Sequence, residues 1–312
     1  MFQFEKTQDE LDCLFHNQRI LSGIQVSVNI DSHSNLSLDF GSSSESTAED
    51  HLGTYKEYQY QYGDEAESVT AAVTFRCYDS FITTFVDAAI KNDELFKKQA
   101  YFSPQQAINI TIANLMDEYQ AMANYQHKDW WTRPFFTNNI KEMPERTQSL
   151  LLKNDHHYYH LLPVCDQEAR TDLAGTEKGL QISVSPFHGG YNQISTFAFI
   201  LGASKDPFQL VNDNVKTALN FCGQNVLSRE EKSYPEILDY LGWCSWDAFY
   251  HEVNEEGILT KAEELQQKNL PVKWMMIDDG WSEVSGRKLQ SFDADQAKFP
   301  NGLSSTVSSL KQ

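Results

Sequence analysis

Hydrophobic residues in this chain follow two different rhythms, and the change between them near residue 230 constrains the fold more than any other feature. Up to about residue 204 the chain reads as short strands. "GIQVSVNI" (23–30) alternates apolar and polar residues, as a strand with one face in a core does. "NLSLDF" (35–40), "SVTAAVTFRCY", "FITTFVDAAI", "QSLLLK", "YYHLLPV", "LQISVSP" and "STFAFILGA" repeat the theme, rich in β-branched and aromatic residues. Polar turns separate them, which predicts an N-terminal β-sandwich. Two stretches fit less simply. "GSSSESTAED" (41–50) is small and acidic and reads as a surface loop. In 103–125 the first half is strand-like and the second half helix-like.

Phe208, Val211, Val215, Leu219 and Cys222 recur at helical spacing, so 204–222 predicts an amphipathic helix with those residues facing inward. Polar "GQNVLSREEKSYPE" (223–236) reads as a linker, dividing the chain into 1–230 and 231–312.

Beyond the linker, "ILDYLGWCSW" (237–246) predicts a strand. Asn254 suits a helix N-cap, with Glu255 and Glu256 favourable in the partly positive first turn. Ile258, Leu259, Ala262 and Leu265 form one apolar stripe, and Pro271 blocks continuation. "VKWMMI" (272–277) is nearly all apolar, as in a parallel strand covered on both faces. "FPNGL" (299–303) makes a turn, and Leu303, Val307 and Leu310 begin another helix. Strand, helix, strand, loop, helix is how an α/β domain opens.

The formal net charge of −19 disfavours nucleic acid as a partner, because phosphate binding needs clustered Lys and Arg. No run of about 18 apolar residues offers a membrane span, and the N-terminus lacks a signal peptide's basic and apolar regions, so a cytoplasmic location is expected. Five dispersed cysteines, with no CxxC pair, predict reduced thiols lying mostly in the core. Without a secretion signal, the sequons at Asn35 and Asn109 read as chance matches.

Chemistry concentrates at the two predicted strand ends of the second part, because ligands of parallel α/β domains sit at the carboxyl ends of strands. "GWCSWDAFY" (242–250) follows the first and "DDGW" (278–281) ends the second. Past the end of a strand, alternation is no longer enforced, so Asp278 and Asp279 can turn toward one mouth, with Gly280 allowing the sharp turn. Carboxylates accept hydrogen bonds from sugar hydroxyls, and the indoles of Trp243, Trp246 and Trp281 suit the C–H faces of a sugar. The same aspartate pair also fits an ordinary turn or cap, or a divalent-metal site to which Asp293 and Asp295 would add carboxylates.

"LGWCSWDAFYHEVNEEGI", then "MMIDDGWS" and "FPNGL", resembles the raffinose synthase and seed imbibition protein family, α-galactosidase-type glycoside hydrolases of family 36. "WWTRPFF" (130–136), "TQSLLLK", "YYHLLPV" and "DPFQLVNDNV" fall in the order of similar segments in that family's N-terminal β-domain. The resemblance implies an N-terminal β-sandwich followed by the opening βαβ portion of a (β/α)8 TIM-type barrel, incomplete here. It implies that Trp246, Asp278 and Asp279 line the subsite for a terminal α-galactosyl unit, with Trp243 and Trp281 as wall or loop support. Trp130 and Trp131 are expected in the sandwich core or at an interdomain contact.

The family's retaining mechanism uses a nucleophile in a Lys-x-Asp motif on the fourth barrel strand and an acid/base near the sixth. The resemblance therefore assigns no catalytic carboxylate to this chain and predicts that it is inactive alone. The substrate implied is an α-1,6-galactoside such as raffinose or melibiose, with galactosyl transfer as the alternative to hydrolysis. No cofactor or metal is implied, and a homo-oligomer is compatible. A noncatalytic carbohydrate-binding module and a purely structural sandwich are the readings from other classes.

Overall fold

A computed structural model describes residues 1–312 apart from 8–9, 32, 67, 92–98, 224–225 and 312. It divides into two compact units, Met1–Ser228 and Arg229–Gln312.

The first unit carries β1 (Phe2–Lys6), β2 (Leu11–Phe15), β3 (Gln18–Ile30), β4 (His33–Ser37), β5 (Asp39–Asp50), β6 (Gly53–Gly63), β7 (Val69–Cys77) and β8 (Phe81–Ile90). It continues with β9 (Ile108–Leu115), β10 (Gln120–Lys128), β11 (Trp131–Thr137), β12 (Thr147–Lys153), β13 (Tyr158–Pro163), β14 (Ala169–Thr176), β15 (Gly179–Pro186) and β16 (Gln193–Ser204). Hydrogen bonding runs in the order β1-β2-β3-β9-β15-β14-β12-β13-β16-β8-β7-β6-β5, with β4 on β3, β10 on β12 and β11 on β10.

That path folds back on itself as a β-sandwich. The ring of Phe4 on β1 stacks on Phe75 of β7 with centroids 4.1 Å apart. Leu21, Ile24, Ile110 and Ile112 of one layer meet Phe75, Ile82, Phe199 and Leu201 of the other around a void of only about 10 Å³, at the lower limit for one water. The alternation read from the sequence sets the register. Ile24, Ile112 and Leu180 lie abreast on β3, β9 and β15, as do Val26, Ile110 and Ile182, and Val28, Ile108 and Val184. All nine are buried, and each contributes about 1.5–3 kcal/mol against exposure.

Several expectations need correction. Residues 41–50 are not a loop but most of β5, an exposed strand paired with β6 from Asp39↔Gly63 to Asp50↔Gly53. Propensity lost to pairing: β6 buries Tyr55, Tyr58, Tyr60 and Tyr62, and its free edge recruits a polar strand whose acidic residues suit a sheet margin. The helix-like half of 103–125 enters β10, where Ala121 and Ala123 bury at strand period. Trp130 and Trp131 are not in the core: they stand at the turn between β10 and β11, 81% and 45% exposed, beside Lys128. Of the five free cysteines only Cys13 and Cys77 are buried. Asn109 is buried, its Oδ1 accepting from Ser183 Oγ at 2.8 Å, so that sequon is part of the sheet's interior.

Helix α1 (Pro207–Phe221) forms as predicted, capped by Asp206 on the N–H groups of Phe208 and Gln209. Its inward face differs from the predicted one. Leu210, Asn214 and Thr217 are buried, whereas Phe208 is 85% exposed. The reason lies on the sheet. Asn214 Nδ2 donates to the carbonyl and Nδ1 of His160 on β13, and a Cβ at Gly202 would come within 2.5 Å of Asn214 Oδ1. A polar anchor and a missing side chain set the helix's rotation.

In the second unit β17 (Leu241–Cys244) runs parallel to β18 (Val272–Met276), with Trp243 opposite Met275 and Cys244 opposite Met276. Between them lie the short α2 (Trp246–Phe249) and α3 (Glu255–Gln267), the latter capped by Asn254 as expected. β17 is shorter than predicted, since Glu236–Asp239 is a 3₁₀ turn. The predicted loop after β18 contains a hairpin, β19 (Ser282–Ser285) and β20 (Lys288–Ala294), before α4 (Gly302–Leu310). Val253, Ile258 and Phe299 form the fully buried centre. β18 is not covered on both faces: Met276 is exposed, and Trp274, Met275 and Ile277 line an open groove of about 970 Å³ with Leu265, Leu303, Val307 and Leu310. This unit is a βαβ arrangement, two parallel strands joined through a helix, as expected at the opening of an α/β domain.

Candidate functional site: the paired ends of β17 and β18

Each parallel strand ends in a turn that reaches the other. The N–H of Ser245 donates to the carbonyl of Met276 at 3.0 Å, extending the ladder one step past β17. The fully buried Ser245 hydroxyl then accepts the N–H of Asp278 at 2.8 Å. Ser245 thus fixes where the chain leaves β18.

Both carboxylates are held by their own turn. Asp278 Oδ1 accepts the N–H of Asp279 at 2.6 Å, and its Oδ2 accepts the thiol of Cys244 at 3.1 Å. Asp279 Oδ1 accepts the N–H of Gly280 at 2.8 Å, while Oδ2 lies 3.4 Å from His251 Nδ1. The backbone N–H of Asp279, helped by the Cys244 thiol, holds the Asp278 carboxyl below the usual aspartate range. The Cys244 thiol receives a backbone hydrogen bond at Trp246 that lowers its pKa, but its bond to Asp278, burial and the charges of Asp278 and Asp247 push it up overall. It therefore stays protonated and able to donate near neutral pH.

Gly280 makes this turn possible. Its φ of +110° suits glycine, and a Cβ there would meet the backbone of His251 at 2.6 Å. Lys298 closes the arrangement by donating to the carbonyls of His251 at 2.6 Å and Gly280 at 2.9 Å. The rings of His251 and Trp246 in turn meet in a T-shaped arrangement, with centroids 5.0 Å apart. His251 thereby stands between Trp246 and Asp279, next to the turn that carries Asp278.

The other two tryptophans have different neighbours. Trp243 packs edge-on against Phe249 and, like Trp281, lies against the Val253–Ile258–Phe299 core. Asp295 does not join the pair; its Oδ1 caps the N–H groups of Ala297 and Lys298. Among the described residues, no group of three or more His, Cys, Asp or Glu side chains stands where it could hold a metal ion.

Sequence reasoning missed Cys244, Ser245, His251 and Lys298. The first two stand inside the quoted "GWCSWDAFY", where the tryptophans drew attention. Lys298 lies 18 residues beyond Gly280, across a hairpin, and no periodicity points to it.

The sequence profile of raffinose synthase or seed imbibition protein Sip1 matches residues 94–306, more than half of the chain. The chain belongs to that family. "Probable galactinol--sucrose galactosyltransferase 6" of Arabidopsis thaliana is 28% identical over 228 residues, 66% of this chain and 30% of its own length. "Galactinol--sucrose galactosyltransferase" of Pisum sativum is 33% identical over 170 residues, 52% of this chain and 21% of its own length. "Probable alpha-galactosidase B" of Talaromyces emersonii is 42% identical over 72 residues, 22% of this chain and 16% of its own length. This family member spans about a third or less of the length of those relatives.

Solved structures agree on the fold. An α-N-acetylgalactosaminidase from Bifidobacterium bifidum superposes with a TM-score of 0.55 at 10% identity, covering 99% of this chain and 55% of its own. A GH36 α-galactosidase from Geobacillus stearothermophilus in complex with raffinose gives 0.50 at 13% identity, covering 92% and 44%. Among the described residues no helix is long and apolar enough to cross a membrane.

Proposed function

We propose that this family member is the N-terminal portion of a retaining α-galactosidase-like enzyme acting on α-1,6-galactosides such as raffinose or melibiose. Trp246, Asp278 and Asp279 form the subsite for the terminal galactosyl unit. The observation that carries this is that both carboxylates are held in place, with Asp279 against His251, whose ring also meets Trp246. Each Asp278 oxygen has one protein donor and retains acceptor capacity, which suits neighbouring sugar hydroxyls. Trp246 offers an aromatic face for the ring's C–H groups. Trp243 and Trp281 support the loops rather than touching sugar.

The subsite's role is to hold the galactosyl unit while its anomeric bond is broken. In a retaining mechanism one carboxylate attacks the anomeric carbon as another protonates the departing oxygen, and the covalent galactosyl–enzyme is then opened by an acceptor. Asp278 and Asp279 take neither part in our reading; the reacting carboxylates belong to later barrel strands, and this chain alone is inactive. The apolar groove beside β18 is where such strands would continue the sheet.

Water as the acceptor gives hydrolysis, and a sugar hydroxyl gives transfer. The galactosyltransferase names of the relatives that match most of this chain favour the second outcome, so it stands as the alternative. To decide, the whole gene product would be incubated with raffinose alone and with galactinol plus sucrose. Free galactose from raffinose supports hydrolysis, and raffinose formed from galactinol and sucrose supports transfer. Neither product would overturn both readings. For the subsite itself, binding of methyl α-galactoside lost in Asp278→Ala supports it, whereas binding that survives deletion of 237–312 would point to a carbohydrate-binding sandwich instead.

A further inference from the structure

We propose that Cys244 is a positioning residue for Asp278: its thiol proton holds the carboxylate in the orientation that receives a sugar hydroxyl. The inference rests on the reading of Asp278 as part of the galactosyl subsite.

The geometry leaves Asp278 one kind of freedom, and Cys244 removes it. Backbone position is settled at its N–H, which donates to the buried Ser245 hydroxyl at 2.8 Å. Rotation about the side-chain bonds remains. The N–H of Asp279 engages Oδ1, but it belongs to the adjacent residue and moves with the same turn. The Cys244 thiol, 3.1 Å from Oδ2, is the contact that ties the carboxylate to the other strand. Cys244 ends β17 opposite Met276, two residues before Asp278, so the parallel register itself delivers the sulfur to the carboxylate.

A thiol suits this place for two reasons. It is a single, weak donor, so it orients one oxygen without using up the carboxylate's remaining lone pairs. It also keeps its proton at neutral pH, since the lowering backbone hydrogen bond at Trp246 is outweighed by the bond to Asp278, burial and the charges of Asp278 and Asp247. A lysine or arginine would instead neutralise Asp278 and compete with the sugar.

The test is done on the full chain with ¹³C-labelled aspartate, following the Asp278 carboxyl signal against pH and assigning it with Asp278→Asn. In Cys244→Ala the Asp278 titration should move up by about half a unit, with the other aspartates unmoved as the control for folding. In Cys244→Ser, which keeps a hydroxyl donor, at least half of that shift should be recovered. An unmoved Asp278 in Cys244→Ala, or an equal shift in Cys244→Ser, would overturn the proposal, since a merely space-filling cysteine predicts those results. Methyl α-galactoside binding provides the second readout, with Cys244→Ala about threefold weaker and Cys244→Ser close to the parent. If the parent and Asp278→Ala bind the sugar equally, the subsite reading fails, while the titration still decides whether the thiol orients Asp278.

Discussion

Lys298 Nζ lies 2.6 Å from the carbonyl oxygen of His251 and within 2.9 Å of that of Gly280, so one ammonium joins the turn after β17 to the turn after β18. Both bonds are charge-assisted, and Lys298 is half-buried. Replacing Lys298 by Met keeps the aliphatic stem but removes both bonds. The expected cost is about 1 kcal/mol of stability after allowing for solvent. Amide hydrogen exchange gives the sharper check. Exchange at Asp279 and Gly280 should accelerate while that of β3 and β9 stays unchanged. Equal exchange in parent and variant would mean that the turns hold without the lysine.

The turn at Gly280 permits a second prediction. Alanine there must accept a φ of +110° and place its Cβ 2.6 Å from His251 Cα. Strain of about 1–3 kcal/mol is expected before any relaxation. Because the carbonyl of His251 is one of Lys298's two acceptors, relief of that clash would pull the two turns apart. Gly280→Ala should therefore both lower the denaturant midpoint and weaken methyl α-galactoside binding. A variant as stable as the parent would show that His251 moves freely.

The two faces of the tryptophan set should separate cleanly under mutation. Trp246 is half-buried and meets Tyr250 and His251 in T-shaped contacts, so Trp246→Ala should weaken methyl α-galactoside binding about tenfold with little loss of stability. Trp243 lies against the Val253–Ile258–Phe299 core, so Trp243→Ala should cost about 2–4 kcal/mol in urea denaturation. The reverse pattern, binding lost through Trp243 with stability lost through Trp246, would exchange their roles.

Much of this was legible because two periodicities are written plainly into the chain. The aliphatic rows of β3, β9 and β15 alternate at period two, and the parallel β17–β18 pair follows from an apolar strand on either side of a capped helix. The family resemblance then singled out Trp246 and the two aspartates as the subsite proposed here, which composition alone left level with a turn or a metal site. What stayed hidden has one physical cause: it depends on partners distant in sequence. Polar β5 is a strand only because β6 offers it an edge. The rotation of α1 follows a hydrogen bond from Asn214 to His160, 54 residues away, rather than its apolar stripe. Lys298 reaches the site across a hairpin that the sequence pattern did not reveal.

His160 gives the last prediction, in the first unit. Its ring is 1% exposed, with Nδ1 accepting from Asn214 at 3.1 Å and Nε2 3.0 Å from the Ser149 hydroxyl. Although Ser, His and Asn stand in line, the Asn214 amide donates to Nδ1 and so leaves the proton on Nε2, facing Ser149. In that tautomer the ring cannot take the serine's proton, and the group is a structural tie rather than a nucleophile. Burial pushes its pKa down to about 4, against an ordinary value of 6.5. The unfolded chain thus binds a proton that the folded chain refuses between those values. Stability should be level above about pH 6.5 and fall as pH drops toward 4, by up to about 3 kcal/mol from this residue. Urea midpoints at pH 7.5 and 4.5 would measure the slope. His160→Gln, which cannot titrate, should flatten that part of it, and an unchanged slope would assign the acid sensitivity to other groups.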